Sequence, residues 1–174
     1  MQRTVWVFGL IAGLIVTVLM LGALALHKDN MDFKMGEIIG YLSMIIALSM
    51  IFFGVRSYRD RYLGGTISFG KAFQTGLLIT LVASAIYVTG WMLYANFGPG
   101  QEFMDQYFEY TAEQLRQSGK PQEVVDREIA RMEQFRESYR NPFVQIGFTF
   151  LEIFPVGLII TLISAFLLRK QRLG

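Results

Sequence analysis

Four long apolar runs, separated by polar stretches of very unequal length, set the pattern of this chain. Thr4 to Leu26 spans 23 residues without a charged side chain. Gly36 to Val55 follows with Glu37 at its start, then Ala72 to Phe97, then Phe143 to Leu168. A helix rises about 1.5 Å per residue, so roughly 20 apolar residues cross a hydrocarbon core of about 30 Å. All four runs reach that length, and the pattern predicts four membrane-spanning helices. The first run also admits a secretory signal, because Ala23-Leu24-Ala25 fits a small-x-small cleavage pattern. A signal's apolar core is about 7 to 15 residues, well short of this run, so an uncleaved span is the preferred reading.

The polar stretches add detail. Small residues at helical spacing, Gly9 and Gly13 in the first run and Gly36, Gly40, Ser43 and Ala47 in the second, predict faces for close helix packing. Glu37 in a first helical turn would face the positive end of the helix dipole. Tyr58 and Tyr62, one turn apart, suggest that the second helix continues to about Arg61, before Gly64-Gly65 breaks it. Ser68 is placed to cap the third helix. Trp91 and Tyr94 fit an interfacial aromatic belt. Residues 101–140 are charged throughout and read as two amphipathic helices, with Met104, Phe108 and Leu115 on one stripe and Val125, Ile129, Met132 and Tyr139 on the other. Ser118-Gly119-Lys120 makes the turn between them, and Pro121 suits a first helical position. The insert's aromatics, Phe103, Tyr107, Phe108 and Tyr110, outnumber what one hairpin stripe needs. The insert is therefore either a solvated cap or a docking face for a protein partner or a second copy of the chain.

Composition narrows the chemistry. The chain has 174 residues, 53% hydrophobic and 17% charged, with a formal net charge of +2. That charge is too small to imply a nucleic-acid partner. No cysteine is present and His27 is the single histidine, which excludes disulfides, thiolate or histidine-rich metal sites and cysteine nucleophiles. No nucleophile–base pair can be assembled, so the expectation is a non-enzymatic protein without cofactors. His27, at a span end, reads as solvated, with pH sensing as the alternative.

Basic residues set the threading. The N-terminus, the 56–71 loop and the C-terminal tail carry eight of them, Arg3, Arg56, Arg59, Arg61, Lys71, Arg169, Lys170 and Arg172, against one acid, Asp60. The opposite side carries eight basic residues and twelve acids, mostly in the long insert. The rule weighs basic residues close to the membrane in short segments, which places both termini in the cytoplasm and residues 98–142 outside. Arg56, Arg59, Arg61, Lys71, Arg169, Lys170 and Arg172 would also meet anionic lipid headgroups, at about 1 kcal/mol per basic side chain near the surface.

Glu152 is the one ionisable side chain in the fourth run. It falls nine residues from the outer start of that run, a depth of roughly 14 Å. An ionised carboxylate there costs at least about 2.5 to 3.5 kcal/mol. It should therefore face protein or water, or be protonated. Matching depths along the other runs brings Tyr87, Thr17 and Ser43 near the same level, and Thr149 shares the face of Glu152. Glu152, Tyr87, Thr17, Ser43 and Thr149 are thus the candidate intramembrane polar cluster. Pro155 removes its own N–H and frees the carbonyl of Leu151, which predicts a kink beside the acid. Two readings compete: a proton or ligand site in a small transporter or channel, and a structural network tying helices together. With no second acid or intramembrane cation in view, the structural network is favoured.

Gly65 to Ala72 nearly matches the phosphate-binding loop GxxxxGK[ST]. Ala72 stands where the magnesium-binding hydroxyl belongs, and the preceding segment is a membrane helix rather than a strand. Nucleotide binding is not expected.

Arg56-Ser-Tyr-Arg-Asp, Gly64-Gly-Thr-Ile-Ser-Phe-Gly-Lys-Ala-Phe and Glu152-Ile-Phe-Pro-Val-Gly followed by Leu162-Ile-Ser-Ala and a basic tail resemble a family of small bacterial membrane proteins. That family is known as domain of unknown function forty-one ninety-nine. The resemblance covers nearly the whole chain except residues 101–140, and implies four membrane helices with a polar insert between the third and fourth. It supplies no reaction, ligand or site residue. The chain is therefore expected to be an all-α, multi-pass protein of the bacterial inner (cytoplasmic) membrane, a single domain with spans at about 4–26, 36–55, 72–97 and 143–168. Its expected role is structural or accessory, acting through the 101–140 insert or by self-association. The alternative is a small transporter or channel around Glu152.

Overall fold

A computed structural model describes residues 1–26 and 33–170. Seven helices follow one another: α1 (Gln2–Leu26), α2 (Phe33–Leu48), α3 (Met50–Tyr62), α4 (Phe69–Phe97), α5 (Gly100–Gln117), α6 (Gln122–Tyr139) and α7 (Pro142–Leu168). Among the described residues there is no strand beyond one isolated bridge, Ile67 with Lys170. The fold is all-α. Four helical segments are long and apolar enough to cross a membrane: Gln2–Ala25, Phe33–Tyr62, Phe69–Phe97 and Pro142–Leu168.

The second of these joins α2 and α3. Ser49 stands between them in helical φ/ψ, and its hydroxyl donates to the carbonyl of Ile46 at 2.6 Å. Back-bonding of this kind competes locally with the helical ladder. The second helix does run on, to Tyr62, before Gly64 and Gly65 take positive φ. Ser68 accepts from the backbone N–H of Lys71 at 3.4 Å, as a cap does.

The chain divides into two compact units, Met1–Thr89 with Phe150–Gly174, and Gly90–Thr149. In the first, α4 is the helix on which the others pack. A Cβ on Gly9 would fall 2.7 Å from Val82, and one on Gly13 2.7 Å from Ile86, so α1 lies with its backbone close against α4. A Cβ on Gly54 of α3 would meet Ile79 of α4 and Phe8 of α1. The closest crossing is between α4 and α7. Gly76 faces Thr161 and Ile51, with Thr161 Cγ2 at 2.8 Å from a built Cβ, while the same atom on Gly157 would fall on the methyl of Thr80. The two helices thus exchange the same Gly-x-x-x-Thr pattern in antiparallel register. Leu48, Ile51, Val55, Ile79, Ala83 and Ile153 fill the rest of this core.

Two expected faces lie elsewhere. On α2 no atom comes within 4 Å of a Cβ on Gly36 or Gly40; the buried residues are Met44, Ala47 and Leu48. Their spacing continues into Ile51 and Val55, both buried, so the larger side chains form the seam and the glycines fall off it. Nor does Glu37 stand in a first turn. The helix begins at Phe33, and its first turn holds no acid.

The second unit is the α5–α6 hairpin folded onto the end of α4 and the start of α7. Gly119, at φ 70°, makes the turn, and Pro121 sits one position before α6 at ψ 140° rather than inside it. Phe108, Ala112 and Val125 are buried. Trp91 donates to the Tyr139 hydroxyl at 2.8 Å and meets Phe103 edge-on at 6.1 Å. Phe135 packs on Phe108 and on Phe148. Trp91 is therefore a buried anchor for the hairpin, not a member of a lipid-facing belt. Arg136 pairs with Asp105 across the hairpin, and that hydrogen bond above all raises the guanidinium above its already high range.

The close crossing is open to test. Gly157→Val should lower the melting temperature of the purified protein through an overpacking cost of about 1–3 kcal/mol. Gly22→Ala, where no atom lies within 4 Å, should leave it nearly unchanged. Equal melting of both variants would mean that α4 and α7 do not cross at these residues.

Candidate functional site

The polar interior of the first unit is built on threonine. Thr75, Thr80, Thr161, Ser84 and Ser164 are all buried. Thr80 Oγ1 lies 3.0 Å from Thr161 Oγ1 and from the carbonyl of Gly76, and 3.3 Å from the carbonyl of Gly157. A hydroxyl has one proton to give. Thr161 donating to Thr80, which donates to a glycine carbonyl, satisfies both. Each glycine lets the backbone approach that makes the exchange possible. Ser84 Oγ, a turn further along α4, and Thr17 Oγ1 on α1 are buried without a hydrogen-bond partner among the described residues.

Glu152 stands on the flank of this unit. Its surface is exposed, whereas Tyr87 of α4 is buried. The two side chains are hydrogen-bonded, and the charge of Glu37 on α2 reaches the same carboxylate. Tyr87 is long enough to keep its ring inside and present its hydroxyl outside. Of the other residues expected at this level, Thr17 and Ser43 are half-buried. No hydrogen bond among the described residues joins either to Glu152. Thr149 is buried and belongs to the Gly90–Thr149 unit. There Gln145, also buried, is bonded to Asn96 at 3.3 Å. Helix α7 continues through Pro155, which is exposed.

The basic residues gather at the opposite end of the same unit. Ile67 and Lys170 exchange two backbone hydrogen bonds of 3.0 Å, which pins the end of α7 to the segment before α4. Arg59 donates to the carbonyl of Leu168 at 3.4 Å. It also pairs with Asp60 at 2.7 Å, and Arg56 lies 3.7 Å from the same carboxylate. Lys71 donates to Gln74 at 3.3 Å. Arg169 stacks over the Phe166 ring at 4.3 Å. Arg61 is exposed. Arg172 and His27 lie outside the described residues. The segment that resembled a phosphate loop has the N–H and carbonyl of Ile67 committed to Lys170. Among the described residues no group of three or more metal-ligating side chains assembles.

A family model described as protein of unknown function (DUF4199) matches residues 7–170. The chain belongs to this family. No curated protein and no solved structure matches it. In this DUF4199 chain both stretches that carried the resemblance meet α4. Arg56 to Phe73 supplies the basic end of α3 and the entry to α4. Glu152 to Gly157 supplies the flank acid and the glycine of the α4–α7 crossing. Four helices long and apolar enough to cross a membrane point to a membrane protein, and neither they nor membership of DUF4199 assigns a reaction.

Sequence reasoning misses the contact of Thr80 with Gly157 and Thr161. Gly157 and Thr161 repeat the four-residue spacing of Gly76 and Thr80, and that repetition was the available signal. It also counted Glu152 as isolated, because Glu37 had been assigned to a helix start. Phe135, which joins Phe108 to Phe148, lies outside the stripe that the spacing of Val125, Ile129 and Met132 predicts.

The Tyr87–Glu152 bond has a measurable size. In a double-mutant cycle with Tyr87→Phe and Glu152→Ala, the coupling in unfolding free energy should be about 1 kcal/mol. Additive effects would show that the two side chains do not interact.

Proposed function

We propose that this is a structural or accessory protein of the bacterial inner membrane, non-enzymatic and without cofactors. Both termini lie in the cytoplasm and the α5–α6 hairpin lies on the outer side. It acts by holding a protein partner or a second copy of itself through residues 101–140. The observation that carries this reading is the α4–α7 crossing. Backbones that approach at Gly76 and Gly157, with their threonines bonded to each other, favour a packed scaffold over a conduit between these helices. The hairpin supplies the surface to act through. Phe103 and Phe108 are taken up in its own packing, while Tyr107 remains 43% exposed among charged side chains. A partner would meet mainly charge, which favours specificity and encounter rate over raw affinity.

One observation favours a second reading, a small transporter or channel. The charge of Glu37 on α2 reaches Glu152 on α7, and Tyr87 is bonded to the latter. Two carboxylates within electrostatic reach, plus a hydroxyl, are better material for proton or cation handling than one acid.

The chain has no cysteine, so single cysteines at Glu109 and Arg127, both exposed, give clean cross-linking sites in membrane vesicles. The scaffold reading expects discrete adducts from these positions, with a second copy or with one protein. Adducts with lipid alone would remove the docking role. Separately, Glu152→Gln should fold and retain those adducts. Loss of a cellular phenotype in a Glu152→Gln variant that still folds and cross-links would favour the transporter reading instead.

A further inference from the structure

The second span is broken at Ser49. Helix α2 ends at Leu48 and α3 begins at Met50. At the junction the Ser49 hydroxyl donates to the carbonyl of Ile46 at 2.6 Å. The Ser49 carbonyl accepts from the N–H of Phe52, three residues on rather than four, at 3.0 Å. A side chain inserted into the ladder and a tightened turn in mid-span are the local marks of a hinge.

Packing changes at the same point. On the α3 side Ile51, Gly54, Val55 and Tyr58 are buried, and a Cβ on Gly54 would meet Ile79 of α4 and Phe8 of α1. On the α2 side the buried residues are Met44, Ala47 and Leu48, all next to the junction. From Phe33 to Ser43 no residue is buried, and a Cβ on Gly36 or Gly40 would meet no atom within 4 Å. Glu37 stands on this loosely packed stretch, and its charge reaches Glu152 of α7, which Tyr87 holds from α4. Few other groups bear on the pair. Helix α7 has no further charged side chain, the Thr4–Leu26 stretch of α1 has none, and α4 has only Lys71. Lys34 and Tyr41 are the other ionisable groups of α2, and the charges of α3 begin at Arg56.

We propose that α2 is a hinged arm that pivots at Ser49, and that the charges of Glu37 and Glu152 set its position. With both acids ionised the arm is held off α7, since like charges repel, and more strongly in a low-dielectric surround than in water. With either acid neutral the arm moves toward α7, and the neutral group donates to the remaining carboxylate. A change of about 20° at Ser49 carries Ile38, roughly 16 Å along the arm, through about 6 Å. The α3 half does not follow, because Gly54 is seated against Ile79 and Phe8. The inference concerns the acid pair of the transporter reading but needs no transport. The two stand or fall separately, because one is read from a phenotype and the other from the position of the arm.

The test uses the full chain in nanodiscs, spin-labelled on introduced cysteines, since the chain has none of its own. Distances are read by double electron–electron resonance. Ile38→Cys with Ile159→Cys reports the arm against α7, and both positions are exposed. Leu19→Cys with Ile159→Cys is the control, because α1 is seated on α4 through Gly9 and Gly13. The Ile38 pair should give a clearly broader distribution than the Leu19 pair. Ser49→Ala, which frees the Ile46 carbonyl for the Met50 N–H, should narrow it. Glu37→Gln and Glu152→Gln should each shift the Ile38 pair by several ångströms toward shorter distances. The Leu19 pair should stay in place in both variants, which also shows that they fold. Equal widths for the two pairs, unaltered by Ser49→Ala, would make α2 and α3 one rigid rod and overturn the hinge. An Ile38 distribution unmoved in both acid variants would overturn the control by charge.

Discussion

The antiparallel contact of Gly76 and Thr80 with Thr161 and Gly157 is the constraint on which the first unit depends. Apolar helices in a bilayer gain little from hiding from lipid, so they associate through close packing and interhelical hydrogen bonds. Here both come from four residues. A one-turn slip of α7 along α4 would either set Thr80 directly against Thr161 with no glycine to receive either methyl, or set Gly76 against Gly157 and break the Thr80–Thr161 bond. The register is therefore fixed at this point, and α1 and α3 add to it by packing onto α4 through Gly9, Gly13 and Gly54.

Both candidate sites follow from that register. Moving along α4 from Thr80 to Tyr87 covers about 10 Å, and moving back along α7 from Gly157 to Glu152 about 7–8 Å. A tyrosine side chain spans the difference, and the bond to Glu152 results. In the other direction the same alignment carries the end of α7 to the segment before α4. There Lys170 meets Ile67, and Leu162 to Leu167 line a groove with Phe69. Altering the crossing would shift the acid away from its tyrosine and the end of α7 away from Ile67 at once.

The spans were legible because each apolar run stands between charges or glycines, and membrane helices must be continuous to satisfy their own backbones. Depth along a span is also legible, since helical rise is constant, and depth alone brings Tyr87 and Glu152 to one level. Rotation about the helix axis is not. Gly36 and Gly40 read as a packing face, but Met44, Ala47 and Leu48 form the seam, because close approach is decided by what the neighbouring helix presents. The same limit hid Thr161 and left Trp91 in a belt. Its indole N–H needs a partner when buried, and Tyr139, far away in sequence, provides one. The start of α2 at Phe33 rather than Gly36 had the largest consequence, since it moved Glu37 inside the helix and within reach of Glu152.

The distribution of polar groups then restricts where any function can operate. Along the α4–α7 contact, the buried hydroxyls of Thr80 and Thr161 are spent on each other and on glycine carbonyls. Charged side chains among the described residues of this unit stand on its flanks and ends, with Glu37 and Glu152 on one flank and Arg56, Arg59, Lys71, Arg169 and Lys170 toward the other end. Neither threonine is left free along the α4–α7 contact itself, and Glu152 stands on the flank of α7. A neighbouring helix from another chain would have to cover that flank before Glu152 could serve an enclosed route. The proposed scaffold role therefore draws on the crossing already in place, whereas the transporter reading would add association on that flank.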